Sequence, residues 1–234
     1  MKLLGKGTSS QMRQRLERLY GSEQLEVLSE RLSELMERYG LKLREGSEGG
    51  TMVTTSWSER DVVLISYGDM IQRAGETPLS TLKNFCDRRL RDAVNGVHIL
   101  PFSPASSDGG FSVIDYRKVA EELGGWAEVE SIGRDYELMV DLVLNHCSQE
   151  SEWFQGYLQG EEPYVNYFIE EQEGQEWLSG VTRPRPHDLL TPVETSRGKR
   201  SVWTTFSADQ VDLNWKSPEA VSYTHLTLPT ILLV

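Results

Sequence analysis

Residues 138–146 read Leu138-Met-Val-Asp-Leu-Val-Leu-Asn-His146. The apolar run Leu138–Leu144 reads as a strand that delivers the polar Asn145-His146 pair at its C-terminal end. Two earlier runs also read as strands: Val62-Val-Leu-Ile-Ser-Tyr67, unbroken enough to be covered on both faces, and Gly96-Val-His-Ile-Leu100. Between them Thr77-Pro78 opens a helix, Thr as N-cap and Pro at the first helical position, with Leu79, Leu82, Cys86 and Leu90 on one face. Lys118–Leu123 and Trp126–Tyr136 supply helical material before the third strand. Strand starts near 62, 97 and 138 give a βα repeat, the signature of a parallel sheet with helices outside.

Two α/β folds answer to that repeat, a doubly wound sheet and a (β/α)8 barrel. The first turn, Gly68-Asp-Met-Ile-Gln72, lacks a glycine-rich dinucleotide fingerprint, which weighs against the first. A complete barrel takes about 250 residues, and three strands fit here, so the expectation is the N-terminal part, about three βα units, of a TIM barrel. Residues 145–206 mix Tyr, Trp, Glu, Gly and Pro without periodicity, too long for a simple loop. The expected organisation is a helical extension and linker over 1–50, barrel units over 51–146, a small inserted subdomain over 147–206, and a return to the barrel over 207–220.

The extension is helical from Gln11 to Tyr39 with a break at Gly21; Leu25, Leu28, Leu32, Leu35, Met36 and Tyr39 form an apolar stripe. Glu45-Gly-Ser-Glu-Gly-Gly50 reads as a linker. Gly5-Lys-Gly-Thr8 is no phosphate-binding loop, lacking the upstream glycine, the preceding strand and the Lys-Ser/Thr pair. Residues 221–234 contain no charged side chain, directly after a helix start at Ser217-Pro218-Glu219. They resemble a translated sequencing-adapter frame, so the natural sequence is expected to depart at Ala220 or Val221, and the tail is set aside.

The chain has 234 residues, with 24 basic against 36 acidic side chains, for a net charge of −12. Residues 121–178 hold fifteen acidic residues and one Arg, a local −14. Such a surface repels nucleic-acid phosphates and anionic lipid. No apolar run approaches the roughly 18 residues of a membrane span. Cys86 and Cys147, without metal-ligand spacing, read as buried thiols of a reducing cytosol.

In a parallel barrel, chemistry sits on the loops after the strands. After the second strand come Asp108-Gly-Gly-Phe111 and Ile114-Asp-Tyr116; the third carries Asp141-Leu-Val-Leu-Asn-His146; near the end lies Phe206-Ser-Ala-Asp-Gln-Val-Asp-Leu-Asn-Trp215. Singly these are weak. Asp108-Gly109 reads equally as a turn, His146 as a structural histidine, Asp141 as a paired buried carboxylate and Phe206 as core.

Together they resemble the α-amylase family (glycoside hydrolase family 13) over about residues 60–220. Asp141-Leu-Val-Leu-Asn-His146 is similar to that family's Asp-x-Val-x-Asn-His signature. Gly96-Val-His-Ile-Leu-Pro-Phe102, Asp108-Gly-Gly-Phe111, Arg183-Pro-Arg-Pro186 and Gln210-Val-Asp-Leu-Asn214 resemble its sucrose phosphorylase group. The helical extension, Leu189-Leu-Thr-Pro192 and Val202-Trp-Thr-Thr-Phe206 look most like the glucosylglycerate phosphorylase branch.

The resemblance implies retaining glucosyl transfer from glucosylglycerate, sucrose or a related α-glucoside to inorganic phosphate, giving α-glucose 1-phosphate. Two carboxyl groups do this chemistry, one as nucleophile and one as acid/base. The family places them after strands four and five, beyond this chain, so no Asp or Glu here takes either role and the fragment is expected to be inactive. The substrate cradle remains. His146 and Asp108 would hold sugar hydroxyls, Phe111 and Phe206 would lie against the sugar's C–H face, Gln210 would sit near the reacting centre, and Arg185 would meet phosphate. Asp141 would position its loop. Asn145 stands where many amylases bind calcium; neither metal nor cofactor is expected. A homodimer is compatible with the resemblance, while nucleic acid and membrane are not expected partners. The competing readings are an amylase-type α-glucosidase or transglycosylase, and a catalytically dead carbohydrate-binding fragment.

Overall fold

The computed structural model describes residues 6–45, 58–172, 174–180, 182 and 185–220. Residues 46–50 of the expected linker over 45–50, and the tail at 221–234, lie outside these residues. Two units are distinguished, Met1–Trp57 and Ser58–Val234.

The first unit is a helix pair, α1 (Lys6–Tyr20) and α2 (Leu25–Glu45). The break falls at Gly21, whose φ of +80° is costly for a side-chain-bearing residue. Arg13 of α1 and Glu26 of α2 form an ion pair that holds both in their charged forms.

In the second unit β1 (Val63–Ser66), β2 (Gly96–Ile99) and β3 (Glu137–Val140) form a parallel sheet in the order β1-β2-β3. The register runs Val63↔Gly96↔Glu137 to Ser66↔Ile99↔Val140. The crossovers are α3 (Pro78–Phe85), which widens into a π-helical turn over Cys86–Leu90, and α4 (Trp126–Asp135). Thr77 caps α3 by accepting from the Ser80 N–H, and Pro78 occupies the first turn. Leu79, Leu82 and Cys86 then pack with Val97, Ile99, Val129 and Ile132 into one core. Burying each of the two leucines stabilises by about 1.5–3 kcal/mol. Lys83 of α3 ties the crossovers together, 2.6 Å from both Asp87 and Asp135.

Two local expectations are corrected. Lys118–Leu123 is a turn: Val119 and Ala120 are buried in the core, and the Ala120 N–H donates to the Phe102 carbonyl at 2.8 Å instead of to a helical partner. The third strand, expected to run to Leu144, stops at Val140. Its neighbour β2 ends at Ile99, and Pro101, two residues on, has no N–H with which to continue a ladder.

His146–Ser148 instead forms a separate strand, β4. Beyond it lie α5 (Glu152–Gln159), the hairpin strands β5 (Leu190–Thr195) and β6 (Gly198–Trp203), and β7 (Gln210–Asp212). β7 returns antiparallel on β4, pairing His146↔Asp212, Cys147↔Val211 and Ser148↔Gln210. An aromatic core fills this region: Phe168 meets Phe154 at 5.0 Å and Tyr157 at 5.3 Å between ring centroids.

Candidate functional site

The loop after β2 folds back on itself. Ala105 bridges Val113, the Ser106 N–H donates to the Ser112 carbonyl at 3.0 Å, and that of Ile114 to Pro104 at 2.7 Å. Its tip carries Asp108, Gly109 and Gly110, all with positive φ, of 57°, 59° and 100°. Asp is among the few side chains that tolerate this region. Gly110 is obligatory, since a Cβ there would stand 2.6 Å from the Pro101 carbonyl oxygen.

The short β4–β7 ladder supplies the opposing side. His146 and Gln210 are diagonal neighbours on it, within reach of long side chains. One Gln210 amide nitrogen lies 2.9 Å from Asp108 Oδ2 and 3.1 Å from His146 Nε2. The same His146 nitrogen is 3.0 Å from the Phe111 carbonyl oxygen. The amide donor and the carbonyl acceptor make opposite demands on Nε2, and no tautomer satisfies both. His146 Nδ1 is buried without a hydrogen-bond partner among the described residues. Burial pushes the His146 pKa below its ordinary value, against the opposing pull of the Phe111 carbonyl, Asp212 and Asp108, and so favours the neutral ring.

Phe206 packs on His146 with ring centroids 4.8 Å apart, and the exposed Arg185 lies 5.6 Å from the Phe206 ring. The side chains of Asp108, Gln210, His146, Phe206 and Arg185 thus fall in one chain of contacts, which Phe111 joins through its backbone carbonyl. Asp141 stands apart, its carboxylate 2.8 Å from His98 Nε2 on β2. The Asn145 side chain is exposed, and no group of three His, Cys, Asp or Glu among the described residues is placed to hold a metal ion. A cavity of about 120 Å³ beside the loop is lined by Pro101, Tyr116, Trp126, Asp141 and Val143, but by none of the six.

Sequence reasoning assigned no role to three residues that support this arrangement. The Tyr116 hydroxyl faces the carbonyls of Val143 at 2.9 Å and His146 at 2.8 Å, which fixes the approach to β4. Burial raises its pKa well above the ordinary value, so it remains a donor. Asp212 accepts from the backbone N–H and the hydroxyl of Thr205, next to Phe206. Asp209 accepts from three serines of the β2 loop. The available signal was an Asp beside Gln210 and a loop with serines at 103, 106, 107 and 112.

Chemically, a carboxylate, an amide and a neutral imidazole offer donors and acceptors to neighbouring hydroxyls. An aromatic ring suits a sugar's C–H face, and a guanidinium suits an oxyanion.

The catalytic-domain model of alpha-amylase matches residues 92–229. The chain belongs to the alpha-amylase family. Its relatives include the glucosylglycerate phosphorylase of Allomeiothermus silvanus, 47% identical over 87% of this chain and 35% of that protein. The sucrose phosphorylase of Bifidobacterium adolescentis is 35% identical over 69% of this chain and 34% of that protein. Among solved structures, sucrose 6F-phosphate phosphorylase from Thermoanaerobacter thermosaccharolyticum superposes with a TM-score of 0.66 at 25% identity, covering 76% of this chain and 38% of that one. The chain therefore spans about a third of the length of the curated relatives it matches. Membership also accounts for the three parallel βα units as part of an alpha-amylase barrel.

Proposed function

We propose that this chain is the sugar-holding part of a retaining α-glucoside phosphorylase. Its substrates are an α-glucoside, glucosylglycerate first among them, and inorganic phosphate; its product is α-glucose 1-phosphate. The observation that carries the reading is the Asp108–Gln210–His146 contact, flanked by Phe206 and Arg185. An α-glucoside bound there meets the His146 ring and places hydroxyls on Asp108. Phe206 and Phe111 lie against the ring, Gln210 serves the reacting centre, and Arg185 receives phosphate.

In this reading the Asp and Glu side chains of residues 60–220 hold and position the sugar and serve neither as nucleophile nor as acid/base. Residues 147–206 act as an inserted subdomain that brings Arg185 and Phe206 to the sugar. The reaction takes place in the cytosol; among the described residues no helix is long and apolar enough to cross a membrane.

The reading is tested by grafting residues 60–220 into the matching part of the Allomeiothermus silvanus relative. The expected result is release of glucose 1-phosphate from glucosylglycerate that requires phosphate. Equal release of free glucose with and without phosphate would instead make the chain part of a hydrolase.

A further inference from the structure

Asp209 precedes Gln210 in a tight turn, in which the Gln210 N–H donates to the Ser207 carbonyl at 3.0 Å. One oxygen of its carboxylate, Oδ2, receives Ser106 at 2.5 Å, Ser107 at 2.6 Å and Ser112 at 2.7 Å. Ser107 immediately precedes Asp108, and Ser112 immediately follows Phe111. The three donors therefore bracket the turn that carries both residues. The network continues into β4, where Ser148 lies 2.6 Å from Ser106.

Each hydroxyl has a single proton. With three serines donating to Asp209, the Ser148 proton goes to Ser106, and the Glu150 N–H donates to Ser148 at 3.0 Å. Every member then has a partner. Ser112 and Ser148 are fully buried, so neither has bulk water as an alternative. On the backbone side, the Gln149 N–H donates to the Asp209 carbonyl at 2.9 Å. Asp209 thus holds the β2 loop through its carboxylate and β4 through its backbone carbonyl, with Ser106 linking the carboxylate to Ser148; these segments carry Asp108, Phe111 and His146, and Gln210 follows Asp209 directly.

We propose that Asp209 is a positioning residue, setting the Asp108–Phe111 turn against the His146–Gln210 face at the spacing a glucosyl group requires. It touches no sugar and acts through the residues it holds. The proposal rests on reading that cluster as the sugar site.

The test uses the isotope-labelled 234-residue chain. NMR follows the Gln210 side-chain amide and the His146 ring, first without ligand and then during titration with α-glucose 1-phosphate. In Asp209→Ala both sets of signals are expected to move, while the methyls of Leu79 and Leu82 stay in place. Binding should weaken about tenfold, the equivalent of one charge-assisted hydrogen bond. Asp209→Asn keeps one acceptor oxygen and should recover to within about threefold of the wild type.

Unmoved Gln210 and His146 signals in Asp209→Ala, or affinity within about twofold of wild type, overturn the proposal. So does an Asp209→Asn variant no better than Asp209→Ala. If Asp209→Ala does not fold, Asp209→Asn and the exposed-site variant Ser107→Ala decide by the same signals. A wild-type chain that binds no α-glucose 1-phosphate defeats the functional reading alone, because the signals of the free chain still report the positioning role.

Discussion

Across 102 positions of sequence, the side-chain amide of Gln210 donates to the carboxylate of Asp108 at 2.9 Å. Gln210 is fully buried, whereas Asp108 is exposed at a loop tip. The amide orients the carboxylate from beneath and leaves its outer side accessible. The same amide nitrogen reaches His146, so a bound hydroxyl would meet a carboxylate and an imidazole already in place.

Replacing Asp108 should separate stability from recognition. Asn tolerates the +57° φ and keeps an acceptor for Gln210, so Asp108→Asn should change stability by less than about 0.5 kcal/mol in urea unfolding. It forfeits the proposed charge-assisted contact to sugar hydroxyls, and calorimetry should show α-glucose 1-phosphate binding weakened by about tenfold. A variant that binds as tightly as wild type would remove Asp108 from the sugar site.

Gly110→Ala should collapse the loop. The new Cβ meets a backbone carbonyl at 2.6 Å, and the residue's φ is +100°, so neither the side chain nor the backbone can yield cheaply. The expected loss is about 2 kcal/mol or more, measured as a lowered urea midpoint.

Gly156 in α5 pits helix propensity against packing. Alanine favours a helix interior by about 1 kcal/mol over glycine. Here, however, its Cβ would lie 2.2 Å from the Tyr164 ring, which packs edge-on to Tyr167 at 5.3 Å. Overpacking costs about 1–3 kcal/mol, so Gly156→Ala should lower the thermal midpoint; a raised midpoint would show that the ring moves freely.

Acid should weaken the chain through His146. The folded state holds this ring below its ordinary pKa of 6.5, chiefly by burial, so the unfolded chain takes up the proton first. Stability contributed by the neutral ring is complete above that value and is lost as pH falls below it. Urea midpoints taken from about pH 7.5 down to about pH 5 should decline for the wild type and decline less for His146→Gln. Parallel curves would assign the acid sensitivity elsewhere.

Much of the scaffold is written in short-range patterns. Thr77-Pro78 announces a helix start by local chemistry alone, and the apolar runs near 62, 97 and 138 mark the three parallel strands. The end of β3 escaped because Leu142 and Leu144 look like continuing strand, while the ladder stops beside Pro101 in a different segment. β4 and β7 have three residues each, too few for a periodic signal, and their pairing depends on the intervening chain closing a long loop. The six candidate site residues were legible through family-like motifs. Asp209 was not, because its three partners lie about a hundred positions away and serines in a loop look like ordinary turn residues.

The β4–β7 ladder has a consequence for how the chain is made. His146 and Gln210 are 64 residues apart, and a ribosome adding about 5–20 residues per second takes about 3–13 s to travel between them. Throughout that interval β4 has emerged or is emerging without its ladder partner, and Cys147 lacks the cover of Val211. The His146–Gln210 face therefore closes only after the segment it encloses has been synthesised, which makes the order of translation part of the candidate site's assembly.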